Sequence, residues 1–180
     1  MRPIRFTAAA LGLLALTACA TTDVRSFVQR GMDVTRYSTY TWGPGEARAT
    51  GDARLDSNPF FEERMQRAVE KQLDARGFEK SNLEVPDLFV HYHASVRQEI
   101  NANGADQPYV TCEDCQPYVY DAGTIVVDLI DARSGRLVWR GWEERSIDGV
   151  VDDQAWMEKT VDEAVARILG QLPDRVRRVS

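Results

Sequence analysis

Histidine is almost missing from this chain, with two in 180 residues. Local catalytic signatures are missing altogether. There is no Gly-x-Ser-x-Gly elbow, no His-Glu-x-x-His pair and no Gly-x-x-x-x-Gly-Lys loop, so the local marks of α/β-hydrolases, zincins and P-loop NTPases are absent. A triad assembled from distant residues leaves no such mark, and this absence weighs only against the local motifs. Positive charge is also short. Lys and Arg number 22 against 28 Asp and Glu, a net charge of −6. The first eighteen residues hold Arg2 and Arg5 and no acid, so the remainder carries 20 − 28 = −8. An acidic domain without a long basic block is a poor partner for nucleic acid, whose affinity for proteins comes from Lys and Arg, and it has little charge attraction to anionic lipid. No period of about 20–50 residues repeats, which excludes a solenoid. No apolar run reaches the roughly twenty residues that span a bilayer.

The longest apolar run is Phe6–Ala18, thirteen residues behind a positive start. A basic start, a short apolar core and small residues at its end describe a secretory signal, residues 1–18. Leu16-Thr17-Ala18-Cys19 follows as its last segment. These four residues resemble a bacterial lipobox. The resemblance implies that Cys19 becomes the first mature residue and carries diacylglycerol on its sulfur. Residue 20 is alanine and not aspartate, and by resemblance to the sorted lipoproteins of two-membrane bacteria this implies the outer membrane, with the domain on its periplasmic face. Residues 19–23 form a short tether. Four extended residues reach at most about 14 Å, so the domain is expected against the lipid surface.

Residues 24–173 read as a single domain, followed by a loose basic tail over 174–180. Residues 24–30 and 36–42 have strand character, with Gly31-Met32-Asp33 as the turn between them and Gly43-Pro44-Gly45 as a stop. Residues 46–57 read as polar loop. Asn58 caps a helix opened by Pro59, and Phe61, Met65, Ala68, Val69 and Leu73 make its apolar stripe. Gly77 ends it, and a loop runs on to Pro86. Residues 87–97, 119–130 and 136–147 are strands, the last two a hairpin turned at Asp131–Gly135. Asp131 sets that turn with its side chain, and Asp128 and Arg140 are expected to face each other across the hairpin. Residues 152–172 form the last helix, with Trp156, Thr160, Ala164, Ile168 and Leu172 inward, widened by Val161, Val165 and Leu169. Trp139 and Trp156 are expected in the core. By alternation Trp139 and Trp142 do not both point inward unless the strand bulges, which makes Trp142 the candidate surface anchor. The order β-β-α-β-β-β-α predicts an α+β fold: one mostly antiparallel sheet of about five strands with two helices on one face and one parallel pair at the helical crossover.

Tyr37-Ser38-Thr39-Tyr40-Thr41-Trp42, Pro86-Asp87-Leu88-Phe89-Val90-His91-Tyr92-His93 and Gly123–Asp131 running into Leu137-Val138-Trp139-Arg140-Gly141 occur in this order. With the lipobox before them and Leu172-Pro173 after, the chain resembles the bacterial envelope lipoproteins of the family DUF4136. The resemblance implies an α/β periplasmic domain and supplies no activity and no cofactor.

Cysteine and histidine carry the chemical alternatives. Cys112 and Cys115 are separated by two residues in a polar loop, 99–118, between two strands. In an oxidising compartment this pair is expected to close as a disulfide, with Cys19 taken by lipid. The alternative joins Cys112 and Cys115 to His91 and His93, which share one strand face, as a Cys2His2 metal site or a redox centre. A paired-carboxylate site among Asp121, Asp128, Asp131, Glu143, Glu144, Asp148, Asp152 and Asp153 has only the number of acids behind it. The reading is therefore a non-catalytic, lipid-anchored domain that binds or scaffolds envelope components. Its partners are the membrane through Cys19 and an envelope protein, not nucleic acid.

Overall fold

The computed structural model describes residues 23–44, 52–56, 58–82, 85–101 and 118–173. Among the described residues, the six strands are β1 (Asp23–Val28), β2 (Thr39–Trp42), β3 (Glu79–Lys80), β4 (Leu88–Asn101), β5 (Tyr118–Asp131) and β6 (Leu137–Ser146). Three α-helices are α1 (Ala53–Asp56), α2 (Pro59–Ala75) and α3 (Gln154–Gly170). The strands form one sheet in the order β1-β6-β5-β4-β2-β3. Pairs β1–β6, β6–β5 and β5–β4 are antiparallel, and β4–β2 and β2–β3 are parallel. The expected architecture holds in outline, with a more mixed sheet than expected and a sixth strand. The parallel pair β2–β4 is the one that the crossover through α2 was expected to create.

Helix α2 forms for local reasons. The Asn58 carboxamide accepts from the backbone N–H groups of Phe60 and Phe61 at 3.1 and 3.2 Å, and Pro59 stands at the first helical position. Its buried residues are the five of the predicted stripe, Phe61, Met65, Ala68, Val69 and Leu73. Gly77, at φ +78°, takes the left-handed conformation that lets the chain leave. Helix α3 starts two residues later than expected because Asp153 is its cap, accepting from Trp156 N–H at 2.8 Å. The two helices run in the same direction. Arg64, early in α2, pairs with Glu158 and Asp162, early in α3, while Arg76 just past α2 lies beside Gly170 at the end of α3.

Both helices cover one face of the sheet. Leu88, Val90, Tyr92 and Ala94 of β4, Val127 and Leu129 of β5, and Trp139 of β6 alternate onto that face and join the helical stripes in one core. Tyr92 makes edge-to-face contacts with Trp42 and Phe61 at 6.1 and 6.4 Å between ring centres. Val138 is an extra residue between Leu129↔Trp139 and Ile130↔Leu137, a bulge that buries Val138 and Trp139 together.

Five expectations need correction. Residues 34–36 are a 3-10 turn capped by Asp33, so β2 starts at Thr39 instead of residue 36. The loop expected over 46–57 contains α1, whose Leu55 is buried, and the loop before Pro86 contains β3. The strands β4 and β5 reach Asn101 and Tyr118, beyond the residues where they were expected to stop. Trp156 is outside the core, 51% exposed, and Met157 takes the inward place. The first turn of α3 overhangs the core, and the indole rests on the Gly149 turn.

Candidate binding face of the sheet

Residues of the opposite parity build the second face of the sheet, on which neither α2 nor α3 packs. The register sets its rows. His91, Asp128, Arg140 and Phe27 form one row across β4, β5, β6 and β1, and His93, Val126, Trp142 and Arg25 form the next. Ser95, Thr124, Glu144 and Asp23 form a third. Phe89, Val126, Ile130, His91, His93, Arg140 and Trp142 are all partly exposed there. Phe27 and Trp142 meet edge to face at 6.4 Å. Trp142 therefore stands where alternation put it, opposite Trp139 in facing direction.

The charged centre of this face is a cross-strand ion pair. Arg140 donates to both oxygens of Asp128, from Nε at 2.6 Å and from Nη2 at 2.5 Å. Asp128 is buried, and the fork geometry occupies both of its carboxylate oxygens. The bond to Asp128 raises the Arg140 pKa further above its ordinary value. His91 lies opposite Asp128. Burial lowers the His91 pKa, against an upward pull from Asp128 and with a further downward push from His93, which favours the uncharged ring. Farther along, Arg97 bridges Glu99 and Glu144 at 2.7 Å each, and Tyr120 donates to Glu99 at 2.6 Å.

The residues singled out from the sequence divide accordingly. His91 and His93 do share a face of β4. Cys112 and Cys115 lie outside the described residues, as does Cys19, so neither the disulfide nor the four-ligand alternative is placed. Among the described residues, no group of three or more His, Cys, Asp or Glu is arranged to hold a metal. The carboxylates named from the sequence are spread over the sheet and its turns, and most of them take structural roles. Asp131 accepts from Arg133 N–H, Ser134 N–H and Ser134 Oγ at 3.1, 2.7 and 2.8 Å, the turn-setting role expected of it, and from Tyr37 Oη at 2.9 Å. Asp121 and Asp148 are linked through backbone, Asp121 N–H donating to Asp148 at 2.6 Å. Glu143 lies on the helix side, 1% exposed, where Arg167 of α3 donates to both its oxygens at 2.9 and 2.7 Å.

Sequence reasoning missed the anchoring role of Asp87. Its carboxylate accepts from Ser38 N–H, Ser38 Oγ and Thr39 N–H at 2.8, 2.9 and 3.0 Å, and its own N–H donates to Thr39 Oγ1 at 3.0 Å. This clamp joins two of the three stretches on which the family resemblance rests. An aspartate just before a strand was the available signal, but its partners lie almost fifty residues away. An apolar cavity of about 50 Å³ lies on the other side, between β4–β6 and the first turns of α2 and α3, lined by Phe61, Val96, Ile125, Ile147, Met157 and Val161 among others.

Residues 24–174 match the family described as a domain of unknown function, DUF4136. No curated protein matches the chain. Among solved structures, a PDZ domain protein from Parabacteroides distasonis aligns at 16% identity with a TM-score of 0.52, over 83% of this chain and 35% of that one. The chain thus spans about a third of that protein's length, and the likeness shows a shared fold alone. Two crystal forms of the PelC dodecamer from Paraburkholderia phytofirmans align at 15% and 12% identity with a TM-score of 0.47, over 86% of this chain and 99% of theirs.

Proposed function

The chain belongs to the family described as a domain of unknown function, DUF4136, and we propose on the geometry of its sheet that it is a non-catalytic binding or scaffolding domain of the cell envelope. It is held at the outer membrane by lipid on Cys19 and faces the periplasm. The supporting observation is the face of the sheet opposite the helices, where an aromatic pair, Phe27 and Trp142, stands beside the Asp128–Arg140 pair, with His91 on the far side of Asp128. Aromatic and Arg side chains in a partly exposed, mixed surface are the composition of protein recognition sites. Among the described residues, no helix is long and apolar enough to cross a membrane, and the anchor proposed is the lipid.

Native mass spectrometry of the protein extracted from membranes without reductant tests this reading. The expected species is lipidated at Cys19, two hydrogens lighter through a Cys112–Cys115 disulfide, and free of metal. A photo-crosslinking residue at Trp142 is expected to give one discrete protein adduct, and the same residue at Lys71, exposed on α2, none. Free thiols with stoichiometric zinc would replace the binding reading by the metal-site alternative at His91, His93, Cys112 and Cys115.

A further inference from the structure

We propose that the end of the sheet where the chain enters is a lipid-contacting surface, with Trp156, Ile100 and Val119 seated in the headgroup region of the bilayer. The proposal rests on the lipid-anchored reading and adds to it which part of the domain meets the membrane. Strand β1 runs antiparallel to β6, and Asp23 stands opposite Glu144. The chain therefore enters where β6 and β4 finish and β5 begins. The ladder of β5 with β6 ends at Ala122↔Ser146, while that of β4 with β5 continues from Gln98↔Asp121 to Asn101↔Tyr118. These further pairs project past the rest of the sheet. Ile100 and Val119 face each other on this ribbon, 68% and 59% exposed, with the side-chain parity of the helix-covered face.

Trp156 belongs to the same end and the same side. The turn beneath it is tied to β5, Ile147 N–H donating to Asp121 O at 2.8 Å and Asp148 accepting from Asp121 N–H at 2.6 Å. A Cβ built on Gly149 in that turn would come within 3.3 Å of the Trp156 ring. Val119 is two residues along β5 from Asp121, about 7 Å at strand rise. Three large apolar side chains are thus left in water around one end of the domain.

The occupant follows from the length of chain outside the described residues. Cys19 precedes Asp23 by four residues, at most about 14 Å of extended chain. A diacylglycerol on Cys19 sits in the bilayer, so Asp23 is held within that distance of it, and the Ile100–Val119 pair projects five residues, about 16 Å at strand rise, past the row in which Asp23 stands. Tryptophan suits the headgroup region, where one part of the ring is apolar and the N–H reaches water.

The test uses the full lipidated protein in vesicles of phosphatidylcholine, with and without bromine on the acyl chains. Bromine quenches a tryptophan only at close range. The expected result is a loss of emission with brominated lipid that disappears in Trp156→Phe. In the Ile100→Asp/Val119→Asp variant, which keeps Trp156, the loss is expected to shrink. Equal emission in the two lipids, or quenching that survives Trp156→Phe, would overturn the surface while leaving the anchor in place. Shielding of Trp156 from acrylamide without bromine quenching would also overturn it, marking a protein as the occupant. The intact mass of the same sample reads Cys19 separately, and an unmodified Cys19 would remove the anchored reading and this surface with it.

Discussion

Asp87 works because one carboxylate can accept several bonds at once. Its acceptance from Ser38 and Thr39 fixes the start of β2 against the start of β4, a parallel pairing that no tight turn enforces. Asp87→Ala would leave these donors without their acceptor. Hydrogen bonds to charged groups are worth about 1.5–3 kcal/mol each and do not add, so a loss of about 3 kcal/mol in urea unfolding at pH 7 is expected. The pH dependence has a definite sign. Burial pushes the Asp87 pKa up, the bonds from Ser38 and Thr39 pull it down by more, and the net lies below the ordinary carboxylate value. A group with a depressed folded pKa contributes stability that is present above its unfolded pKa and is lost as pH falls through the folded value. The wild-type protein is therefore expected to lose this contribution below about pH 4, and Asp87→Ala to show a smaller acid loss. Equal acid dependence of the two proteins would contradict the role given to the clamp.

Between elements, Gly141 controls how closely α3 approaches the sheet. A Cβ there would lie 2.4 Å from Trp139 Cη2 and 2.9 Å from Ile168 Cγ2. Trp139, two residues away on the same face, folds its indole over the bare glycine, and α3 packs on top. Gly141→Ala would have to displace a buried indole or the helix, and overpacking of this kind costs typically about 1–3 kcal/mol. The upper part of that range is expected, read from the shift in urea midpoint, because both neighbours are fully buried. Trp139→Phe in the same chain is expected to recover part of the loss by shortening the ring. The sequence marks this glycine within a strand but not the reason for it, since the reason is the position of a ring and a distant helix. Helix α2 was readable because its cap, first proline, stripe and stop are all local. The Asp128–Arg140 pair was readable because a hairpin brings near neighbours together. Strand β3 was not, because Glu79 and Lys80 are exposed and become strand through bonds that the Glu79 and Ser81 N–H groups donate to the Ser38 and Tyr40 carbonyls. Trp156 continues the four-residue spacing of the α3 stripe, but the spacing does not reveal where the supporting sheet ends.

The distribution of charge over the molecule decides how the proposed membrane contact responds to lipid and salt. Asp23, Asp121, Asp148 and Asp152 stand at the end where the chain enters. Arg25, Arg54, Arg97 and Arg145 are nearby, but each is paired with acid, Arg25 with Asp23 at 2.5 Å, Arg54 with Asp52 and Asp121 at 3.0 and 3.4 Å, Arg97 with Glu99 and Glu144 at 2.7 Å each and Arg145 with Glu163 at 3.6 Å, and Asp153 adds one acid more. This end therefore meets lipid with a net negative charge, and attraction to anionic headgroups does not hold it there. Its contact is apolar and is enforced by the short tether. On zwitterionic vesicles the quenching of Trp156 by brominated lipid is expected to be unchanged by salt. On vesicles containing anionic lipid, repulsion between the acids and the surface should weaken the quenching at low salt. Salt should restore it, because the Debye length falls from about 30 Å at 0.01 M to about 3 Å at 1 M. Fluorescence of the lipidated protein across a salt series on the two vesicle types checks this. Quenching that decreases as salt is added would mean that the arginines, not Trp156, Ile100 and Val119, make the contact.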